Sequence, residues 1–383
     1  MIRRCVAELK AIPGWRTKNK YVAIAVDDYG NVRLRDHKAR SYLKSRIAGF
    51  GGQMDMFDSV ETRVDMEALF DVLSGVTDVE GRNAIITAYT LTANPDFSVL
   101  REERRYAYEP LTHTFERLTA EQPKSYEGTW SLWKEGIKAR LIQPQFHGRE
   151  HLNIPVLEYK LQRCDSDIEA NLKVESMAGL KSVASMPGVK FTQAFSFHDA
   201  SVLEEQGRVI TDGLSLFKSI FGFSSKTFAP PGLKLHKKHD SFVRKLGISS
   251  IDKPFFGYQP VGAGKRQASL NFLTAPRQNR VGKIVRTLSF EPCSGLKTDP
   301  VGQALKEIEI AFRWNKPAII SSHRVNFVGH IDSDNRKKGL KMLKALLKSI
   351  KRKWPEVRFI GIDELVQEMA LSKNPQLSEK CNS

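Results

Sequence analysis

Short apolar runs closed by polar residues recur along this chain, and stretches with helical spacing separate them. Residues 21–26 form a continuous apolar, β-branched run, which predicts a strand buried on both faces; it stops at Asp27-Asp28-Tyr29-Gly30. Further strands are predicted at 84–90, 141–142, 189–195, 227–232, 248–252, 317–324 and 357–362. Helical patterns fill 35–48, 66–75, 130–137, 165–182, 200–221, 237–246, 301–314, 336–353 and 363–369. Alternation of this kind predicts an α/β protein with a parallel sheet, and the repeats suffice for a barrel. Residues 19–370 are expected to make that barrel, with excursions at about 97–128 and 253–286. Residues 1–18 are expected to be a loosely held extension, and 371–383 a polar tail. In parallel barrels the loops after the strand C-termini build the site. Asp27/Asp28, Asn94/Asp96, His147/His151, His198 and His323 are therefore expected to gather at one mouth.

Composition narrows the function classes. A chain of 383 residues with 41% hydrophobic and 9% aromatic content can fill a core. No apolar run approaches the roughly 20 residues that span a bilayer, so no membrane span is predicted. The basic N-terminal residues have no apolar stretch behind them, which argues against a signal peptide. The four cysteines, Cys5, Cys164, Cys293 and Cys381, lie far apart; reduced thiols and a cytoplasmic location are expected. The net charge of +17 permits a polyanionic partner. In the densest basic run, however, Leu340, Leu343, Leu347 and Ile350 recur at helical spacing, so the lysines read as the outer face of a covering helix. No zinc-finger spacing, RNP-like strand or heptad pattern is present, so nucleic acid is not an expected partner.

The chemistry concentrates in His147-Gly148-Arg149-Glu150-His151. Two histidines four apart share a face if the backbone is helical, with Cβ atoms about 5–6 Å apart. With one aspartate they make a three-ligand metal set that keeps a position open, as catalytic zinc sites do. A neighbouring carboxylate can then act as general base and a separate histidine as general acid. Amide or ester hydrolysis suits such a set.

The order Asp27-Asp28, His147-x-x-x-His151, a proline turn at Pro230-Pro231 and a late strand ending in His323 resembles the polysaccharide deacetylase family of carbohydrate esterases. That resemblance implies a distorted (β/α) TIM-like barrel that removes N- or O-acetyl groups from a carbohydrate substrate. It also implies a divalent metal ion, zinc first, with cobalt or nickel as substitutes. By the same resemblance Asp27 is the general base, Asp28, His147 and His151 hold the metal, and His323 is the general acid. Asn94, Asp96, Trp130, Pro230, Pro231 and Arg324 are expected at the substrate. The chain departs from the family pattern at Gly148, where Ser or Thr is usual, and at Ser321, where an aliphatic residue is usual. It also has no arginine before Pro230-Pro231, and Arg324 is expected to replace it.

Two other readings stand beside this one. His147-x-x-Glu150-His151 fits the inverted zincin peptidases, with Glu150 as base, although Pro144 and Gly148 oppose the helix this needs. A metal-free barrel could instead bind a glycan or polyanion through its basic surface.

Overall fold

The computed structural model describes residues 2–263, 265–295 and 299–372. In chain order the strands are β1 (Tyr21–Tyr29), β2 (Ile86–Leu91), β3 (Ala93–Pro95), β4 (Tyr108–Pro110), β5 (Ile142–Gly148), β6 (Thr227–Phe228) and β7 (Ser250–Asp252). They continue as β8 (Phe256–Gly262), β9 (Lys265–Leu270), β10 (Gly282–Ile284), β11 (Leu288–Ser289), β12 (Ala318–His323) and β13 (Arg358–Phe359). Nine of them make one sheet in the order β10-β7-β6-β5-β2-β1-β12-β11, with β13 paired to the start of β1. Its pairings are all parallel, as the alternating pattern predicts. The order runs open from β10 to β11, and the sheet curls: the barrel is a distorted one. Arg286 demonstrates the curl, because its guanidinium bonds Asp252 of β7, Asp27 of β1 and Ser321 of β12. In a flat sheet β7 and β1, four strands apart in the order, would be roughly 19 Å from each other.

Alternation along β1 sorts its side chains. Val22, Ile24 and Val26 pack outward with the covering helices Arg63–Ser74, Thr129–Lys138, Pro300–Arg313 and Ser333–Lys353. Tyr21, Ala23 and Ala25 face the interior with Tyr89, Ile284 and Ile319. Small residues at 23 and 25 suit the narrow inside of a curled sheet, and bulky β-branched residues suit the contact with helices. Helix Ile362–Leu371 closes the end opposite the aspartates. Its Ile362, Leu365, Val366 and Met369 join the interior cluster, and its Glu368 accepts from the Tyr21 hydroxyl at 3.0 Å.

Three expectations need correction. The segment 189–195 is a run of turns and not a strand, because β5 pairs directly with β6 and leaves no edge for it. Phe191 and Phe195 anchor it as a loop instead. The helix expected over 165–182 ends at Lys173. Residues 2–18 are not loose: helix Ile2–Ala11 buries Ala7 and Ala11 against Ile310. The excursion near 97–128 contains helices Phe97–Glu102, Leu111–Glu121 and Pro123–Tyr126, and that near 253–286 carries the β8–β9 hairpin. Most of the expected polar tail, 373–383, lies outside the described residues. Among the described residues, no helix is long and apolar enough to cross a membrane.

Candidate metal centre and active site

Asp27 continues the inward series of Tyr21, Ala23 and Ala25, so its carboxylate points into the mouth. Asp28 should then face the helices. Its φ of 75° is left-handed, and the register of β1 against β2 shifts between Val26 and Tyr29. The strained bulge turns Asp28 toward the same mouth, and non-glycine residues are rarely held this way without a functional gain. A second register shift falls in β5, between the pairs Thr90–Phe146 and Leu91–Gly148. It places His147 at the strand end, where Gly148 at φ 138° turns the chain toward His151. The His-x-x-x-His spacing therefore works through a bulge and a turn, with no helix involved.

The three side chains meet. Nε2 of His147 lies 3.2 Å and Nε2 of His151 lies 3.1 Å from the same oxygen of Asp28. The ligand atoms of all three fall within 4.8 Å of one another. A tetrahedral ion with bonds of about 2.0–2.1 Å holds its ligand atoms roughly 3.3 Å apart, close to the two separations from the Asp28 oxygen. The hydrogen bonding agrees. Nδ1 of His147 sits 2.6 Å from the Ala229 carbonyl, which can only accept, so Nδ1 carries the proton. In the neutral ring Nε2 then turns a lone pair toward the Asp28 carboxylate, and two acceptors at that distance call for a cation between them. Asp28 is buried, which would raise its pKa; with a proton in the place of that cation, the charge of His151 and hydrogen bonds from both histidines hold it well below the usual carboxylate range.

Asp27 and His323 flank this set. They are register partners across β1 and β12. Burial would push the Asp27 carboxyl up, but Arg286 outweighs it with two bonds of 2.7 and 2.6 Å, leaving the carboxyl below its ordinary value. The same guanidinium bonds Asp252 at 2.9 Å and the Ser321 hydroxyl at 3.0 Å. Burial would lower the pKa of His323. Its 2.7 Å bond to Glu291, the Glu291 charge, and the charges of Asp28 and Asp27 together push it up to about 9. Asn326 holds the other Glu291 oxygen at 2.5 Å.

Several expected site residues are committed elsewhere. Arg324 does not replace the missing arginine: it is fully buried, and it bonds Asp58 at 3.0 Å, Glu61 at 3.0 Å and the Asn31 carbonyl at 2.8 Å. Arg286 holds Asp27 instead. It follows β10 inside a stretch that reads as an excursion, where the pattern of the sequence gives no sign of it. Asn94 uses both amide hydrogens on the Gly30 carbonyl and Thr114, and accepts from Val32, so it ties the loop after β1 in place. Asp96 caps helix Phe97–Glu102. Trp130 packs among Phe115, Trp133 and Phe221, on the helix side of the sheet. Pro230 and Pro231 are buried just after Ala229, whose carbonyl orients His147. His198 does not join the set; its carbonyl accepts from Ala263 at 2.6 Å. Glu150 is held by Arg149, with bonds of 2.6 and 3.2 Å, and Arg149 also bonds Asp212 and stacks on Tyr108. With His147 on a strand and Glu150 so engaged, the inverted zincin arrangement is absent.

No family model matches the sequence, and no curated protein does. Solved structures do. A putative polysaccharide deacetylase from Mycobacterium smegmatis is 9% identical, over 94% of both chains, with a TM-score of 0.46. A probable polysaccharide deacetylase from Pseudomonas aeruginosa is 6% identical, over 93% of this chain and 92% of its own, at 0.45. A family 4 acetyl xylan esterase from Clostridium thermocellum, in complex with a cobalt ion, is 9% identical, over 91% of both chains, at 0.36. The solved structures to which this chain is similar thus include polysaccharide deacetylases and family 4 carbohydrate esterases.

Proposed function

We propose that the protein is a metal-dependent hydrolase that removes acetyl groups from an N- or O-acetylated carbohydrate. The observation that carries this reading is the convergence of Asp28, His147 and His151 on one point, with Asp27 and His323 on either side. Asp28, His147 and His151 would hold a divalent ion, zinc by preference for its nitrogen and oxygen ligands. When bound, such an ion supplies positive charge that acidifies water and polarises an acetyl carbonyl.

The chain's own groups complete the chemistry. Asp27, kept ionised and aimed by Arg286, takes a proton from the water whose oxygen attacks the acetyl carbon. His323, kept protonated by Glu291, gives its proton to the leaving nitrogen or oxygen as the bond to carbon breaks. Acetate and the free amine or hydroxyl are the products. Arg286 takes the orienting role for which the proline turn offers no arginine.

Elemental analysis and acetate release test this together. We expect near one divalent ion per chain in the wild type and none in His147→Ala/His151→Ala. Asp27→Asn should keep the metal and lose acetate release from N-acetylated oligosaccharides. A wild type that holds no metal after incubation with zinc, cobalt and nickel defeats the hydrolase reading in favour of a binding barrel.

A further inference from the structure

The loop 188–196 has two sides. Phe191 and Thr192 face the recess that contains His151. Lys190, Gln193 and Ser196 line a second recess of about 170 Å3, with Lys234, Tyr258 and Arg266. We propose that this second recess is an anion-binding subsite, taking a phosphate or carboxylate carried by the glycan whose acetyl group reaches the metal centre. The assignment of that glycan rests on the deacetylase reading above.

Three cations line this recess and no carboxylate does. Among the described residues, Lys190 and Arg266, which are exposed, and Lys234, which is half-buried, have no ion-pair partner. For Lys234, burial, and then the charges of Arg266 and Lys190, lower its pKa: both neighbouring cations repel it. Protein contacts use only part of their donor capacity. Lys234 bonds the Tyr258 carbonyl at 2.8 Å and Arg266 bonds the Gly188 carbonyl at 3.3 Å. An anion in the recess would accept the remaining bonds and relieve the repulsion. A solvated basic surface is the plain alternative, but it does not explain a cation drawn partly out of water into a concave wall.

The recess also adjoins the metal centre. Gly148, beside His147, lies against Pro231, and a Cβ on Gly232 would meet Gln193 at 3.0 Å. Asn153 fixes the shared loop by bonds to the carbonyls of Gln193 and Ser196. On the far side, one face of the β8–β9 hairpin carries Phe256, Tyr258 and Leu270 at 57%, 46% and 53% exposure. Tyr258 pairs with Ala268, and Arg266 follows on the same face. Flat apolar rings leading into a cationic recess suit a sugar chain that bears anionic groups.

Calorimetric titration with inorganic phosphate tests the subsite, using metal-loaded wild type, Lys190→Gln/Arg266→Gln and His147→Ala/His151→Ala. The charge variant changes two exposed side chains, so folding can be verified by circular dichroism. We expect phosphate to bind the wild type and the histidine variant alike, and the charge variant on the order of tenfold more weakly. Added salt should weaken wild-type binding. Equal binding by the charge variant, loss of binding with the histidines, or no binding by the wild type each overturns the subsite. Substrate class is read separately, as kcat/KM for an N-acetylated tetrasaccharide carrying uronate carboxylates against uncharged chitotetraose. Preference for the charged substrate, lost in the charge variant, supports an anionic glycan, and no preference overturns it. Phosphate binding without any acetate release defeats the deacetylase reading and leaves the anion site standing.

Discussion

Arg286 grips Asp27 across 259 positions of chain, with N–H···O bonds of 2.7 and 2.6 Å to its two oxygens. Its Nε donates to Asp252 at 2.9 Å, so two buried carboxylates, on strands that the sheet's curl brings face to face, share one buried guanidinium. Burial, opposed by that guanidinium, holds the Asp252 carboxyl up at about 6, while Asp27 stays below its ordinary value. Breaking such a buried pair costs about 3–5 kcal/mol. Arg286→Met is therefore expected to lower the urea midpoint sharply and to reduce kcat more than it changes KM. Arg286→Lys, which cannot span both oxygens, should fall between. A wild-type urea midpoint for Arg286→Met would refute this.

The alkaline limb of activity should belong to His323. Its folded pKa is raised to about 9, so the protonated form that donates persists through neutral pH and is lost as pH rises through about 9. Glu291 contributes most to the rise. In Glu291→Gln the limb of kcat/KM is expected to move down toward the ordinary histidine value of about 6.5. A pH–rate profile that keeps its alkaline limb in the variant would assign that limb to another group.

Metal and fold should be linked. An ion held by Asp28, His147 and His151 bridges β1 to the end of β5 and the loop after it. At a free zinc concentration 100 times Kd it would add about 2.7 kcal/mol of stability. Chelation should lower the melting temperature and zinc restore it. His147→Ala/His151→Ala should melt at the same temperature with or without zinc.

Arg324 should matter for stability and not for chemistry. It is fully buried between Asp58 and Glu61, and burial raises the Asp58 carboxyl to about 6 despite that arginine. Arg324→Met strands both acids, at an expected cost of about 3–5 kcal/mol. Thermal melts should show the loss, while elemental analysis of the remaining folded protein should find the metal content unchanged.

The periodicity was a good guide wherever burial alone decides structure. β1 and β2 are buried throughout, so their apolar runs read directly as strands. The amphipathic helix Ser333–Lys353 buries Leu340, Leu343, Leu347 and Ile350, the residues its spacing singles out. Where an edge of the sheet was already taken, local pattern misled: the strand-like 189–195 became a looped wall beside the candidate metal centre. Asn94 and Trp130, attractive by residue type, were drawn into a loop tie and a helix-side cluster.

By itself the sequence determined the alternation of strand and helix, and hence a parallel sheet whose strand ends carry the candidate site residues. It also placed Asp27, Asp28, His147, His151 and His323 at those ends, because each closes or follows an apolar run. Only the tertiary structure decided how they are brought together. The left-handed Asp28 and the register shift before Gly148 are backbone strains that surrounding packing must maintain, and no local spacing encodes them. The choice of Arg286 over Arg324 depends on the curl of the sheet, which brings β10 and β7 opposite β1. That distance is set by strand order, and strand order is a property of the whole fold.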